Sequence, residues 1–334
     1  MAGLMTMVVT VRAQFSGNWS TLTTMPTALA QTATAVDSQS RLWVIGGWGT
    51  GGTVSNGIEI YDSIAHTWST GPTLPTAVRD ATALYYSNQI FVFGGYTGGS
   101  QSEAVQVYNL GTSSWSTTTF SSGGWAMNGT VLNSQLYAFA GETLSNAANR
   151  FDPTTSTFTS LTSLPFNSIG GQSGAIGNLI YLAAGSYSGY TAGTQFAAFN
   201  PATNTWNSSL AQLPAARTQF AAASNGQFFF VAGGGSDATN DSSPIYSSVY
   251  AYNPATDTWL NGPSLSVGVR EASGVMLGSQ FLVIGGYDST GSFSNEIYAL
   301  QTVPEPSTAV LLALGLGVFA AWRRGAHRRS SALG

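Results

Sequence analysis

The chain has 334 residues and a formal net charge of −4; only 7% of its residues are charged, against 43% hydrophobic and 12% aromatic. That balance excludes a disordered polyelectrolyte and demands a packed core, and 40 glycines point to an all-β chain rich in turns. There is no cysteine, no lysine and only two histidines, which excludes a disulfide scaffold, a thiolate metal site, a cysteine nucleophile, Schiff-base chemistry and a phosphate-loop NTPase.

The first element is short and apolar, Gly3 to Val11, followed by Val11-Arg12-Ala13. Residues 1–13 are expected to be the remnant of a signal peptide whose basic start is missing. Between Gln14 and Val303, five arginines face thirteen carboxylates. This acidic body is the wrong sign for phosphate, so nucleic acid is not an expected partner.

Within that body the chain repeats itself. A glycine pair or Ala-Gly follows an apolar run six times: Gly46-Gly47, Gly94-Gly95, Ala140-Gly141, Ala184-Gly185, Gly233-Gly234 and Gly285-Gly286. A second marker runs in phase, an aromatic residue with another seven positions on: Tyr61 and Trp68, Tyr108 and Trp115, Phe151 and Phe158, Phe199 and Trp206, Tyr252 and Trp259. A third follows it, as in Leu74-Pro75 to Arg79 and Leu213-Pro214 to Arg217. Glycine pair, Tyr-(Asp/Asn)-Pro, Trp, Leu-Pro and Arg together resemble the Kelch motif over nearly all of residues 17–300. The resemblance implies a six-bladed β-propeller over residues 14–303, with four antiparallel strands per blade. Repeats three and four depart most, with Ala for the first glycine and Phe158 for Trp.

Each marker has a physical reading. Runs such as Leu42-Trp43-Val44-Ile45 are apolar on both faces, as a strand buried between neighbouring sheets must be. Strand a precedes this run, strand b is the run, strand c ends in the aromatic residue and strand d carries the Trp. The last repeat has strand c at 296–300, but seven residues after Tyr298 stands Glu305 where a Trp is due. An orphan Trp lies at the other end, in Gly17-Asn18-Trp19. The N-terminal segment is therefore expected to supply the missing strand and close the ring.

The last element is Pro304-Glu305-Pro306, an uncharged run of 16 residues from Ser307 to Trp322, and the basic cluster Arg323, Arg324, Arg328, Arg329. The run predicts a transmembrane helix over 307–322, slightly short of the ~20 residues of a comfortable span, with the arginines on the cytoplasmic side. This order resembles the PEP-CTERM sorting signal of Gram-negative bacteria over residues 304–334. The resemblance implies an exosortase as processing partner, an inner-membrane-anchored precursor, and a mature form at the outer surface or outside the cell.

Little chemistry remains. His66 sits in the short turn before Trp68 and His327 in the tail, so a histidine-based triad or metal site is not expected; no metal or cofactor is expected. The copper oxidases built on Kelch repeats need cysteine and histidines absent here. Residues 253–259 faintly resemble a sialidase Asp-box, but their position matches the Kelch turn better.

In an up-and-down sheet the b–c and d–a connections share one face. The b–c loops vary from Gly141–Asn146 to Gly233–Tyr246, whereas the a–b turns stay short, and variation of this kind marks a binding face. Arg79, Asp80, Arg270 and Glu271 are expected at the entrance of the central channel, with Arg217 nearby. The alternative is that these arginines brace neighbouring blades through backbone carbonyls. Trp48, Tyr96 and Tyr287 follow glycine pairs and are candidates for stacking on sugar rings, or for packing inside the loops. These residues favour an exported, non-catalytic binding module for a polysaccharide or protein. An enzyme resembling the Kelch sialic-acid mutarotases, and a structural surface-layer spacer, remain the alternatives.

Overall fold

Apolar runs bounded by glycine pairs and Asx turns form short strands, and every regular element the structure describes is a strand. The structure, a computed structural model, describes residues 15–120, 124–141, 146–183, 185–186, 191–237 and 244–302. The chain divides into one unit spanning Phe15–Thr302 and a second made of Met1–Gln14 and Val303–Gly334. The second unit lies outside the described residues, and with it the leader expected at 1–13 and the helix expected at 307–322. Among the described residues no helix is long and apolar enough to cross a membrane.

Unit Phe15–Thr302 is an all-β propeller. Among the described residues it holds six four-stranded antiparallel sheets. The first consists of strands a to d at Ala33–Val36, Arg41–Ile45, Ile58–Asp62 and Thr67–Thr70. Four more sheets repeat this order over 82–119, 128–160, 172–207 and 221–261. The sixth takes Ser273–Leu277, Gln280–Ile284 and Glu296–Gln301 from the end of the unit, and Ser20–Thr24 from its start. Each strand a touches strand a of the next sheet, and the sixth touches the first.

Burial falls from the second strand to the fourth. Leu42 to Ile45 are all buried, whereas in Thr67–Thr70 only Trp68 is covered in part. The core therefore lies in layers between sheets. Trp43 and Ile45 meet Ile90 and Val92 of the next sheet. Leu42, Val44 and Tyr61 meet Leu282, Ile284 and Ile297 across the closure.

The repeat markers hold these layers together. A Cβ on Gly46 would collide with the Val78 carbonyl oxygen, and Gly46 has φ +63°, so only glycine lets the neighbouring sheet approach. The next amide uses that approach: Gly47 N–H donates to Val78 O at 2.8 Å. Gly95, Gly234 and Gly286 donate likewise to Gly124, Val269 and Leu29. The tryptophans act on the outer side. Indole Nε1 of Trp206 donates to Thr162 O at 2.8 Å and that of Trp259 to Ala211 O at 2.9 Å, in both cases reaching the preceding sheet. In the c–d turns the Asp or Asn after the aromatic residue caps the turn. Asp62 Oδ1 accepts from Ile64 N–H and Ala65 N–H, and Asn109, Asp152, Asn200 and Asn253 act in the same way.

One detail differs from the sequence reading. In the sixth sheet Ile284 pairs with Ile297, as Ile45 pairs with Ile58 in the first. Leu300, fully buried, therefore stands where Tyr61 stands, and Tyr298 takes the position of Glu59. An apolar residue of any shape fills that inner slot, so the aromatic marker is displaced without loss of packing. Trp19 then falls opposite Leu300. Its Nε1 donates to Pro263 O at 2.8 Å and its ring lies 5.8 Å from that of Phe281.

Candidate functional site

Two residues before each strand a, the chain turns through a left-handed residue. These are Gln31, Asp80, Ala126, Gly170, Gln219 and Glu271, with φ between +52° and +64°. Five of the six carry a side chain, a conformation that costs about 1–2 kcal/mol each and persists only where the surroundings impose it. Here hydrogen bonds impose it. Asp80 N–H donates to Gln31 O (2.9 Å), Ala126 to Asp80 (2.9 Å), Gly170 to Ala126 (3.2 Å), Gln219 to Gly170 (3.1 Å), Glu271 to Gln219 (2.8 Å) and Gln31 to Glu271 (2.8 Å). The six peptides form a closed girdle around the mouth of a central channel of about 540 Å³. Small residues of the six a strands line it, among them Ala83, Gly129, Gly174, Ala222 and Gly274.

The girdle is uneven. Gln219, Glu271, Gln31 and Asp80 give one side polar side chains, and Ala126 and Gly170 leave the other nearly bare. Gln219 Nε2 donates to Glu271 Oε1 at 3.3 Å.

Among the described residues, the residue preceding the girdle position pairs across, in five sheets, with the residue that follows the glycine pair or Ala-Gly of its own sheet. Arg79 pairs with Tyr96, Arg270 with Tyr287, and Ala30 with Trp48. The structure thus brings the d–a arginines Arg79 and Arg270 against the b–c aromatics. The Arg79 guanidinium carbon lies 4.8 Å from the centre of the Tyr96 ring, 5.4 Å from Trp48 and 5.7 Å from Trp125. Its Nη1 donates to Gln31 Oε1 and, at 3.1 Å, to Asp80 Oδ2. Arg270 lies 5.6 Å from the Tyr287 ring and is only 3% exposed.

Arg217 is placed differently. It is fully buried; Nη1 donates to Gly233 O (2.9 Å) and Ser248 O (3.3 Å), and Nη2 to Ser248 Oγ (2.9 Å). Tyr250 and Tyr246 cover it at 4.6 and 5.3 Å. Burial pulls its pKa below the usual guanidinium value, and the two tyrosines oppose that pull. The expectation that it stands near the mouth as a contact residue is corrected. Arg217 comes four residues after Leu213, whereas Arg79 and Arg270 come five after Leu74 and Leu265. In extended chain one step reverses the side chain, so Arg217 braces the sheet through backbone carbonyls.

Two aromatics missing from the sequence reading complete the rim. Trp125 stands two residues after Gly123, in the position Arg79 takes one sheet earlier, and its ring lies 6.0 Å from Tyr96. Phe293 lies 5.1 Å from Trp48 and 5.4 Å from Tyr287. Tyr287, Phe293, Trp48, Arg79, Tyr96 and Trp125 therefore form one unbroken, partly exposed arc. Counting back from strand a finds Trp125; nothing in the repeat marks Phe293. On the opposite face His66 is exposed at φ +56°, with Nδ1 3.0 Å from Tyr61 Oη.

A ring of four-stranded sheets latched by glycine pairs and tryptophans defines a β-propeller of the Kelch kind. The chain belongs to the Attractin/LZTR1 beta-propeller family, which matches residues 42–298, and it carries a PEP-CTERM protein-sorting motif at residues 302–325. That motif marks a secreted, membrane-transiting exosortase substrate. A Kelch domain-containing protein of Saccharolobus solfataricus is 39% identical over 82 residues, 25% of this chain and 10% of that protein. The Kelch-like protein terF of Aspergillus terreus is 23% identical over 274 residues, 76% of this chain and 59% of that protein. The chain thus spans less than two thirds of either relative. Among solved structures, that of YjhT superposes with a TM-score of 0.71 at 17% identity, over 85% of this chain and 100% of that one. This likeness concerns the fold alone.

Proposed function

We propose that the protein is a six-bladed Kelch propeller, closed by its N-terminal strand, that works outside the cell as a non-catalytic binding module for polysaccharide. The observation that carries this reading is the arc of five aromatic rings around Arg79 at one edge of the channel mouth. Flat rings side by side on a rigid rim suit stacking against successive sugar rings. All five rings are partly exposed, which leaves them faces for a ligand.

Export follows from the sorting motif. Pro304-Glu305-Pro306 is the recognition element for the exosortase. The apolar run 307–322 and the arginines Arg323, Arg324, Arg328 and Arg329 hold the precursor at the inner membrane of a Gram-negative cell. Cleavage near Pro304 then places the 14–303 propeller at the outer surface or in the matrix.

The test is the triple variant Trp48→Ala, Tyr96→Ala, Tyr287→Ala on a glycan array and in matrix pull-downs, with circular dichroism as the check on folding. Each ring should contribute about 1 kcal/mol, so the triple change abolishes binding that single changes only weaken. Binding that survives in the folded triple variant places the site elsewhere. Binding to purified proteins and to no glycan makes the ligand a protein.

A further inference from the structure

Resting on the reading of this rim as a glycan surface, we propose that Arg79 grips a carboxylate, and so that the glycan is a uronate-type acidic polymer. Both hydrogen bonds of the Arg79 guanidinium use Nη1, to Gln31 Oε1 and Asp80 Oδ2. Nε and Nη2 make none to the described residues. An arginine edge of two parallel N–H groups matches the two oxygens of a carboxylate. The side chain is 21% exposed, so that edge is reachable.

The surroundings fix its direction. Trp48 lies 5.4 Å from the guanidinium carbon, and Tyr96 and Trp125 at 4.8 and 5.7 Å. Tyr96 and Trp125 are in ring contact with each other, while Trp48 instead contacts Phe293. The cation therefore joins two aromatic groups, and a sugar carboxylate on its open edge brings the pyranose ring onto the neighbouring aromatic faces. Asp80 and Gln31 tie down Nη1, which leaves the fork oriented before any ligand arrives.

No other arginine duplicates this role at the mouth. Arg217 and Arg270 are buried, and Arg41 is paired with Asp37 at 2.7 Å beside the a–b turn of the first sheet. The carboxylates at the mouth do not forbid an acidic ligand, since Asp80 is directly paired with Arg79 and Glu271 Oε1 accepts from Gln219 Nε2. They limit the site to one anionic group at a time, so affinity gained per carboxylate should saturate and weaken with salt.

The experiment compares polygalacturonate with its fully methyl-esterified form, which keeps the sugar backbone and removes the charge. Calorimetry on the full-length protein in detergent should give binding to the free acid at least tenfold tighter than to the ester. Arg79→Gln and Arg79→Lys should both lose about tenfold to a hundredfold for the acid, the worth of one charge-assisted pair, and lose less for the ester, which offers the fork no charge. The lysine variant keeps the charge without the fork, so full affinity in a folded Arg79→Lys protein overturns the bidentate grip. Equal binding of acid and ester, abolished by the aromatic triple variant, overturns this proposal and leaves the binding surface standing. Absence of binding to either polymer, with a glycan-array signal elsewhere, overturns the uronate class. No binding to any glycan removes both.

Discussion

Trp19→Ala tests whether the N-terminal strand latches the propeller. The indole gives three separable contributions. Its Nε1 bond to Pro263 O is worth a net of about 1 kcal/mol. Its ring contact with Phe281 at 5.8 Å adds about 1 kcal/mol. Its burial is partial, so removal of the ring from the layer costs about 1 kcal/mol more, near half of a full aromatic burial. The sum, about 3 kcal/mol, sits at the lower edge of the range for Trp→Ala in a core. For a unit of this size it corresponds to a fall in Tm of about 6 °C. Urea titration of Trp19→Ala should show a lower midpoint at unchanged slope. Trp19→Phe keeps the ring and loses only the hydrogen bond, about 1 kcal/mol. Trp115 occupies the same position within the ring, and its Nε1 has no hydrogen-bond partner among the described residues, so Trp115→Ala should cost less than Trp19→Ala. A Trp19→Ala protein within about 0.5 kcal/mol of the parent, the range of an ordinary surface change, would refute the latch.

Three further outcomes are expected. Arg217→Met leaves Gly233 O without its donor and Ser248 O with the Gly233 amide alone, so it should destabilise by about 1–3 kcal/mol in urea titration and leave glycan affinity of the folded protein unchanged. Stability should form a plateau in pH. Tyr61, Tyr137, Tyr181, Tyr252 and Tyr298 are all raised above the ordinary phenol value, burial being the largest cause in each. The folded chain keeps these protons while the unfolded chain releases them near pH ~10, so stability is full below that and falls as pH rises beyond it. Asp62 and Asp152 are lowered, chiefly by backbone N–H groups of their turns, so stability is full above about pH 4 and falls below it; urea midpoints that rise from pH 9 to 11 would contradict the alkaline limb. In the native host, Glu305→Ala should leave an uncleaved membrane-bound precursor, and mass spectrometry that finds the unaltered protein intact through Gly334 would end the sorting reading.

The fold was legible because each marker answers to one constraint that repeats with every sheet. A glycine stands where a neighbouring carbonyl leaves no room for a Cβ, an Asx residue where a turn needs its amides capped, and a Trp where an indole must reach the preceding sheet. The marker fails where another residue meets the same constraint. Leu300 fills the slot of Tyr61 because that slot asks only for an apolar body, and the aromatic residue nearest it in the chain, Tyr298, stands two positions early. The Trp still belongs to the other end of the chain, since the spacing after strand c falls in the Pro304-Glu305-Pro306 segment, which holds none.

The rim was half legible for a reason of register. Arg79, Arg217 and Arg270 look alike as residues, but one residue of spacing decides on which side of an extended segment each falls. Counted from the Leu, Arg217 is out of step; counted back from strand a, it stands four residues before the strand, whereas Arg79 and Arg270 stand three before theirs. The two counts agree, because Leu74, Leu213 and Leu265 each stand eight residues before strand a. The count from strand a has a physical anchor in the left-handed girdle residue two positions before the strand, fixed by its bonds to both neighbouring sheets. That count also places Trp125 beside Arg79, since Trp125-Ala126 is the next sheet's version of Arg79-Asp80. Phe293 obeys no such count. It lies in a connection whose length differs from sheet to sheet, and it reaches Trp48 only because the ring brings the sixth sheet beside the first. Closure is thus what turns rings scattered from Trp48 to Phe293 into one surface, and a protein that loses its latch should lose the arc between Tyr287 and Trp48 before it loses the girdle.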